Sequence, residues 1–280
     1  MPAGERPRRG RFRPHGGLTS LVENPRPIPV LAWHKVTPRW EPGITALHPQ
    51  RFRRQVEALR QQGARAITLE NWLQRGGMQE AGERLVLLCF DDAYACVVQH
   101  ALPALEAAGF VATLFPVLDF LGKNNTWDGG LLGRRFAHLG AAGIAELLDA
   151  GWSLGLHGRT HLHLAGRSLD VLERELVTAR SELELQFGRN VHVVAWPFGR
   201  WDRRALLVAQ AAGLRAGFGR GGGGHVMCMP RHMLYPHHGE AAVAAMLDGR
   251  EEDVVQRLAG LGAALSSWLG GSAAASSSKS

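Results

Sequence analysis

Short apolar runs alternate with amphipathic stretches along most of the chain. "IPVLAW" (28–33) is an apolar run behind a proline-rich lead and reads as a strand. "PQRFRRQVEALRQQGA" sets Phe52, Val56 and Leu59 at helical spacing and stops near Gly63. "ARAITLENWLQ" reads as a short strand, then a helix opened by Thr68. "RLVLLCF" (84–90) is a strand. "YACVVQHALPALEAAG" is a helix closing at Gly109 and disturbed by Pro103. "FVATLFPVL" is the next strand, 119–142 reads as a loop, and "GIAELLDAG" is a helix. "WSLGLHG" (152–158) reads as a strand, followed by a long helix over 168–188 with Ser168 as its N-cap. "VHVVAWPFG" and "LRAGFG" are strands on either side of the helix "DRRALLVAQAAG", and a last helix is expected over 251–268.

Strands alternating with helices imply a mainly parallel sheet. About seven such units in one chain predict an α/β fold of one domain, a distorted (β/α) barrel. In that architecture functional side chains gather at the C-terminal strand ends. The unusual polar residues fall there: His34 after "VLAW", Asp91 and Asp92 after "LVLLCF", His157 and His161 after "WSLGL". "WPFG" follows "VHVVA" in the same way.

Composition changes this picture little. A chain of 280 residues with 45% hydrophobic residues buries a sizeable core. Five arginines against one glutamate in the first twenty residues account for more than half of the formal +7. The basic character is therefore a tail property, and no basic stripe with interleaved aromatics marks a nucleic-acid-binding face. Three cysteines without metal-type spacing are expected to be reduced and buried. Residues 1–26 read as a basic disordered segment, 27–268 as the folded domain and 269–280 as a flexible Ser/Ala-rich tail. Neither a secretory signal nor an apolar run of transmembrane length is visible, which points to the cytoplasm, or to the periplasm or exterior for a truncated start.

Two histidines four apart and a nearby carboxylate suit a catalytic metal with open coordination positions. With thirteen histidines in the chain, ordinary loop histidines are the plain alternative. The adjacent acids then divide: one binds the ion, the other takes a proton from water beside it. A helix N-cap is the plain alternative for the pair.

"CFDDA", "HGRTHLHL" and "WPFGRWD" resemble the first three motifs of the polysaccharide deacetylases, the NodB-homology domain of carbohydrate esterase family 4. The match keeps the family's order over about 30–235, and "VLAWHKV" and "MPRHML" are similar to the subset containing the poly-N-acetylglucosamine deacetylases. The resemblance implies Asp91 as general base, Asp92, His157 and His161 as metal ligands, and the Phe198 N–H as an oxyanion donor. It implies His34 as general acid, acting as a protonated imidazole. Ala93 stands where the family usually has glycine, and the third-motif arginine is missing, so Arg231 is the candidate to orient Asp91. Trp196, Pro197 and Trp127 are candidates for substrate contact.

The expected activity is removal of N-acetyl groups from an N-acetylated glycan or activated sugar, with one divalent metal. Zinc ranks first; cobalt, nickel and iron suit the same donors. A glycan-binding protein that lost catalysis, and an iron oxygenase built on two histidines and a carboxylate, are the rival readings. The sequence leaves the oligomeric state open.

Overall fold

The computed structural model describes residues 25–41, 44–127, 135–220 and 224–250. Seven short parallel strands set the frame: β1 Val30–Trp33, β2 Leu85–Asp92, β3 Thr113–Pro116, β4 Ser153–Leu154, β5 Val193–Ala195, β6 Ala216–Phe218 and β7 His232–Met233. Parallel ladders join β7 to β1, β1 to β2, β2 to β3 and β3 to β4, and another joins β5 to β6. Single parallel bridges, Leu156 to Val194 and Phe218 to Met229, carry the pairing across the two gaps. The result is the expected distorted barrel, with β4 narrower than "WSLGLHG" predicts. Gly155 lets the chain pass close to β3: a Cβ there would lie 2.2 Å from the Phe115 ring.

Helices cover the outside. α1 Pro49–Gln61 is capped by His48, whose Nδ1 accepts from the Gln50 N–H, and α2 Leu69–Gln74 by the Thr68 hydroxyl. α3 joins a π turn, Val97–Ala101, to an α segment, Leu102–Ala107, with Pro103, the residue expected to disturb the helix, just after the junction. α4 is Ala141–Asp149. α5 runs as Leu169–Leu172, a π segment Glu173–Thr178, and Ala179–Phe187. Ser168 sits at its N-cap position without a side-chain capping bond, unlike the expectation. α6 Arg203–Ala211 is capped by Asp202, and α7 is Glu240–Leu247. Neither α7 nor β7 was legible in the sequence; the expected helix at 251–268, residues 1–24 and the C-terminal tail lie outside the described residues, while Arg26, expected in the disordered segment, pairs with Gln79 in a short antiparallel ladder. Among the described residues no helix is long and apolar enough to cross a membrane.

The period-two alternation of strands sorts side chains into two apolar clusters. Leu31, Trp33, Val86, Leu88, Phe90, Leu114 and Val194 pack outward on Phe52, Leu105, Ile144 and Leu176 of the helices. Val30, Ala32, Leu85, Leu87, Cys89, Phe115, Val193, Ala195 and Phe218 pack together in the interior, with Trp72 of α2 among them. Continuing the interior rows by one step reaches His34 on β1 and Asp91 on β2. The barrel interior therefore leads directly to the polar residues.

Candidate active site and metal centre

Asp91 and Asp92 lie within β2 as its last two residues, not beyond it, and both are buried. Asp91 keeps the interior direction. Asp92 would alternate outward, but its backbone turns left-handed at φ 66, and Ala93 follows at φ 57. Adjacent acids are thus redirected onto neighbouring sides of one site. Among the described residues, the non-glycine positions with positive φ are Asp92, Ala93, His161 and Phe198. Such backbone is strained for residues with a Cβ, and strain of this kind clusters at functional sites.

His157 and His161 come from the loop after β4. Their Nε2 atoms stand 3.4 and 3.3 Å from the same Asp92 oxygen, Oδ1. The donor atoms of Asp92, His157 and His161 all lie within 4.8 Å of one another. The His157 Nδ1 is 2.7 Å from the Ala195 carbonyl, which only accepts, so Nδ1 carries the proton and Nε2 keeps its lone pair. Burial lowers the pKa of both imidazoles, leaving them neutral. Two imidazole lone pairs and a carboxylate directed at one point form a donor set that fits a divalent cation.

Several groups hold this arrangement, and sequence reasoning missed two of them. Glu175, buried in the π segment of α5, reaches into the histidine loop. Its Oε2 accepts from the N–H groups of Arg159 and Thr160 at 2.8 and 3.0 Å, and its Oε1 from the Thr160 hydroxyl at 2.5 Å. Gly158 (φ +79) makes room for it: a Cβ there would lie 3.0 Å from the same Oε2. His138, buried and stacked on Tyr94, has its Nδ1 2.5 Å from the Asp92 carbonyl and donates to it. Neither residue carries a sequence signal, since one sits in a charged helix and the other in a loop.

Arg231, just before β7, forms two parallel bonds to Asp91, one of 2.8 Å from Nη1 to Oδ1. Burial alone would raise the Asp91 pKa; Arg231, with His157 and His34, outweighs it and holds the carboxyl well below its usual range. The His34 Nε2 is 3.9 Å from Asp91 Oδ2. Burial pushes His34 down to about 4, reinforced by Arg231, Lys35 and His157 against the pull of Asp91. The lowered pKa leaves His34 neutral at rest.

The remaining candidates divide. Phe198 follows Pro197 in a short 3-10 turn after β5, and its ring meets His161 edge-on at 4.6 Å. Trp127 stacks on the other side of His161 at 4.4 Å and 23°. Trp196 does not face the site. It takes the outward parity of β5, is fully buried, and donates its indole N–H to the Met227 carbonyl. Its expected contact with substrate is thereby excluded, and Pro197 is buried beside Gly158. Cys89 and Cys228 are free and buried as expected, but Cys96 is partly exposed.

The family model for polysaccharide deacetylases matches residues 78–217, half of the chain. The chain belongs to the polysaccharide deacetylase family. YxkH of Bacillus subtilis (strain 168), named for the same family, is 24% identical over 198 residues, covering 70% of this chain and 65% of its own. The poly-beta-1,6-N-acetyl-D-glucosamine N-deacetylase of Staphylococcus epidermidis (strain ATCC 35984) is 22% identical over 180 residues, 60% of this chain and 59% of that one. The chain thus spans less than two thirds of the length of these relatives. The fold matches that of the Streptococcus pyogenes deacetylase PplD, solved in complex with acetate. That match has a TM-score of 0.68 and 20% identity, over 80% of this chain and 99% of the other.

Proposed function

We propose that the protein is a metal-dependent N-deacetylase of an N-acetylated glycan, the class of substrate named for its staphylococcal relatives. The observation that carries this reading is one buried carboxylate bound by arginine beside a second carboxylate that converges with two neutral imidazoles. Residues 27–268 form the deacetylase domain in this reading. Asp92, His157 and His161 hold one divalent cation, with zinc ranked first for two nitrogens and an oxygen, and cobalt, nickel or iron also suited to the set. The bound ion supplies Lewis acidity that polarises an acetamide carbonyl and acidifies water.

The chain's own groups divide the remaining work. Asp91, fixed by Arg231, accepts a proton from the attacking water. The Phe198 N–H donates to the carbonyl oxygen as negative charge develops on it. His34 Nε2 stands 3.9 Å from Asp91 Oδ2, and the proton taken by Asp91 passes to it. From there it is delivered to the departing amine nitrogen. Trp127, beside His161, offers an aromatic face to a sugar ring.

The test is acetate release from β-1,6-linked N-acetylglucosamine oligomers by zinc-loaded protein, without oxygen consumption. Metal content is measured alongside in wild type and His157→Ala. Release from wild type and loss of stoichiometric metal in the variant are expected. Absence of release from every N-acetylated oligomer overturns the activity, and unchanged metal in His157→Ala overturns the ligand set.

A further inference from the structure

The residues after β5 and β6 place two arginines, Arg200 and Arg220, on one lip of the site. Arg220 follows β6 and is locked onto the turn that carries Phe198. Its N–H donates to the Gly199 carbonyl at 2.9 Å, and its own carbonyl accepts from the Trp201 indole at 3.3 Å. The side chain then runs across Gly199: a Cβ on Gly199 would lie 2.7 Å from Arg220 Cγ, 3.1 Å from Cδ and 3.3 Å from Nε. Only a glycine, here at φ +69, lets the arginine cross this turn.

The cations that bear on Arg220 are Arg200 and Arg231. Arg231 is neutralised by Asp91. The nearby Asp202 spends its carboxylate on the N–H groups of Ala205 and Gly166, at 2.8 and 2.6 Å. Among the described residues no carboxylate forms an ion pair with Arg220 or Arg200. An arginine held in place by its backbone and stem, and facing other cations, is poorly explained as a stabilising feature of the fold. It is well suited to a planar anion, which a guanidinium grips through two parallel hydrogen bonds.

We infer that Arg220, supported by Arg200, binds an anionic substituent on the glycan, so that the preferred substrate is an acidic N-acetylated saccharide rather than a neutral one. The anion is a carboxylate or a phosphate placed on or next to the N-acetylated sugar. This inference rests on the deacetylase reading for its location, but its test uses binding and not turnover.

Affinities of the zinc-loaded protein are measured by calorimetry for chitotetraose, a neutral oligomer, and a hyaluronan tetrasaccharide, in which N-acetylglucosamine alternates with glucuronate. N-acetylglucosamine and its 6-phosphate form the second pair. Wild type is expected to favour the acidic member of at least one pair by about tenfold at low salt, and less as ionic strength rises. A preference in the first pair identifies a carboxylate, and in the second a phosphate. Arg220→Gln is expected to bring that ratio close to one, and Arg220→Lys to retain part of it. Equal binding of acidic and neutral members by wild type, or an undiminished ratio in Arg220→Gln with an unchanged unfolding midpoint, overturns the inference. Loss of acetate release with the binding preference intact would instead count against the deacetylase reading alone.

Discussion

Glu175 offers the sharpest test of how the site is held. It hydrogen-bonds none of the three expected ligands, yet it ties the loop between His157 and His161 to α5 through three bonds. In Glu175→Ala the backbone N–H groups of Arg159 and Thr160 lose their acceptor, at roughly 1–2 kcal/mol each for partly buried donors. The buried stem adds about 1 kcal/mol of lost packing. The total is about 3–5 kcal/mol, or a fall in unfolding midpoint of about 6–20 °C for a domain of this size. Glu175→Gln should behave differently. The amide oxygen can take the place of Oε2 and accept from both N–H groups, while the Thr160 hydroxyl turns to accept from the NH2. Only the charge assistance is lost, about 1–2 kcal/mol. Thermal unfolding in chelator measures the stability term without metal, and zinc titration measures the loop's effect on the site. Metal affinity should fall about 10–100-fold in Glu175→Ala, as for other groups that orient ligands, and much less in Glu175→Gln. Equal unfolding midpoints for wild type and Glu175→Ala, or equal losses in the two variants, would refute the reasoning.

Three further outcomes follow from the geometry. Asp91→Asn keeps the shape of the site but removes the proton acceptor, so acetate release should drop by about 10²–10⁴ while zinc stoichiometry is retained. Arg231→Gln should raise the Asp91 pKa, because burial is then left unopposed by the guanidinium; activity needs the ionised carboxylate, so the acid limb of the pH–rate profile moves to higher pH. In wild type the depressed Asp91 pKa contributes stability above the ordinary carboxylate pKa near 3.8 that is lost as pH falls through its folded value, and Arg231→Gln should lose that contribution by chemical denaturation at pH 7. Gly155→Ala places a Cβ 2.2 Å from the Phe115 ring, and overpacking of about 1–3 kcal/mol or more should appear as a lower unfolding midpoint.

The barrel was legible because its strands are short apolar runs separated by amphipathic helices, and because parallel pairing follows from that order. β7 escaped notice because "RHM" is two residues of ladder with no apolar run, paired only through the backbone of β1. The four central residues of the site were visible as motifs, and the structure brings Asp91, Asp92, His157 and His161 together. Strand parity explains both a success and a failure. His34 and Asp91 continue interior rows and meet at 3.9 Å, while Trp196 continues an outward row and is buried against Gly217, Gly219 and Met227. Applying that parity to "VVAW" would have excluded Trp196 from the sequence alone. Glu175 and His138 were not legible, because their importance comes from long-range hydrogen bonds to backbone groups, which leave no local pattern.

The four left-handed positions have a consequence for the distribution of stability. Asp92, Ala93, His161 and Phe198 each hold a conformation that costs about 1–2 kcal/mol, a sum comparable with much of the net stability of an ordinary domain. The end of the barrel that carries the candidate site is thus held in costly backbone, and the apolar interior around Trp72 and Phe218 offsets that cost. Damage far from the chemistry should accordingly be felt first at the site. A cavity near Trp72 would let the left-handed turns relax toward ordinary backbone, and ligand alignment would fail before the fold does. Tolerance to mutation in this protein is therefore set at the floor of the barrel, although it is read out at the rim.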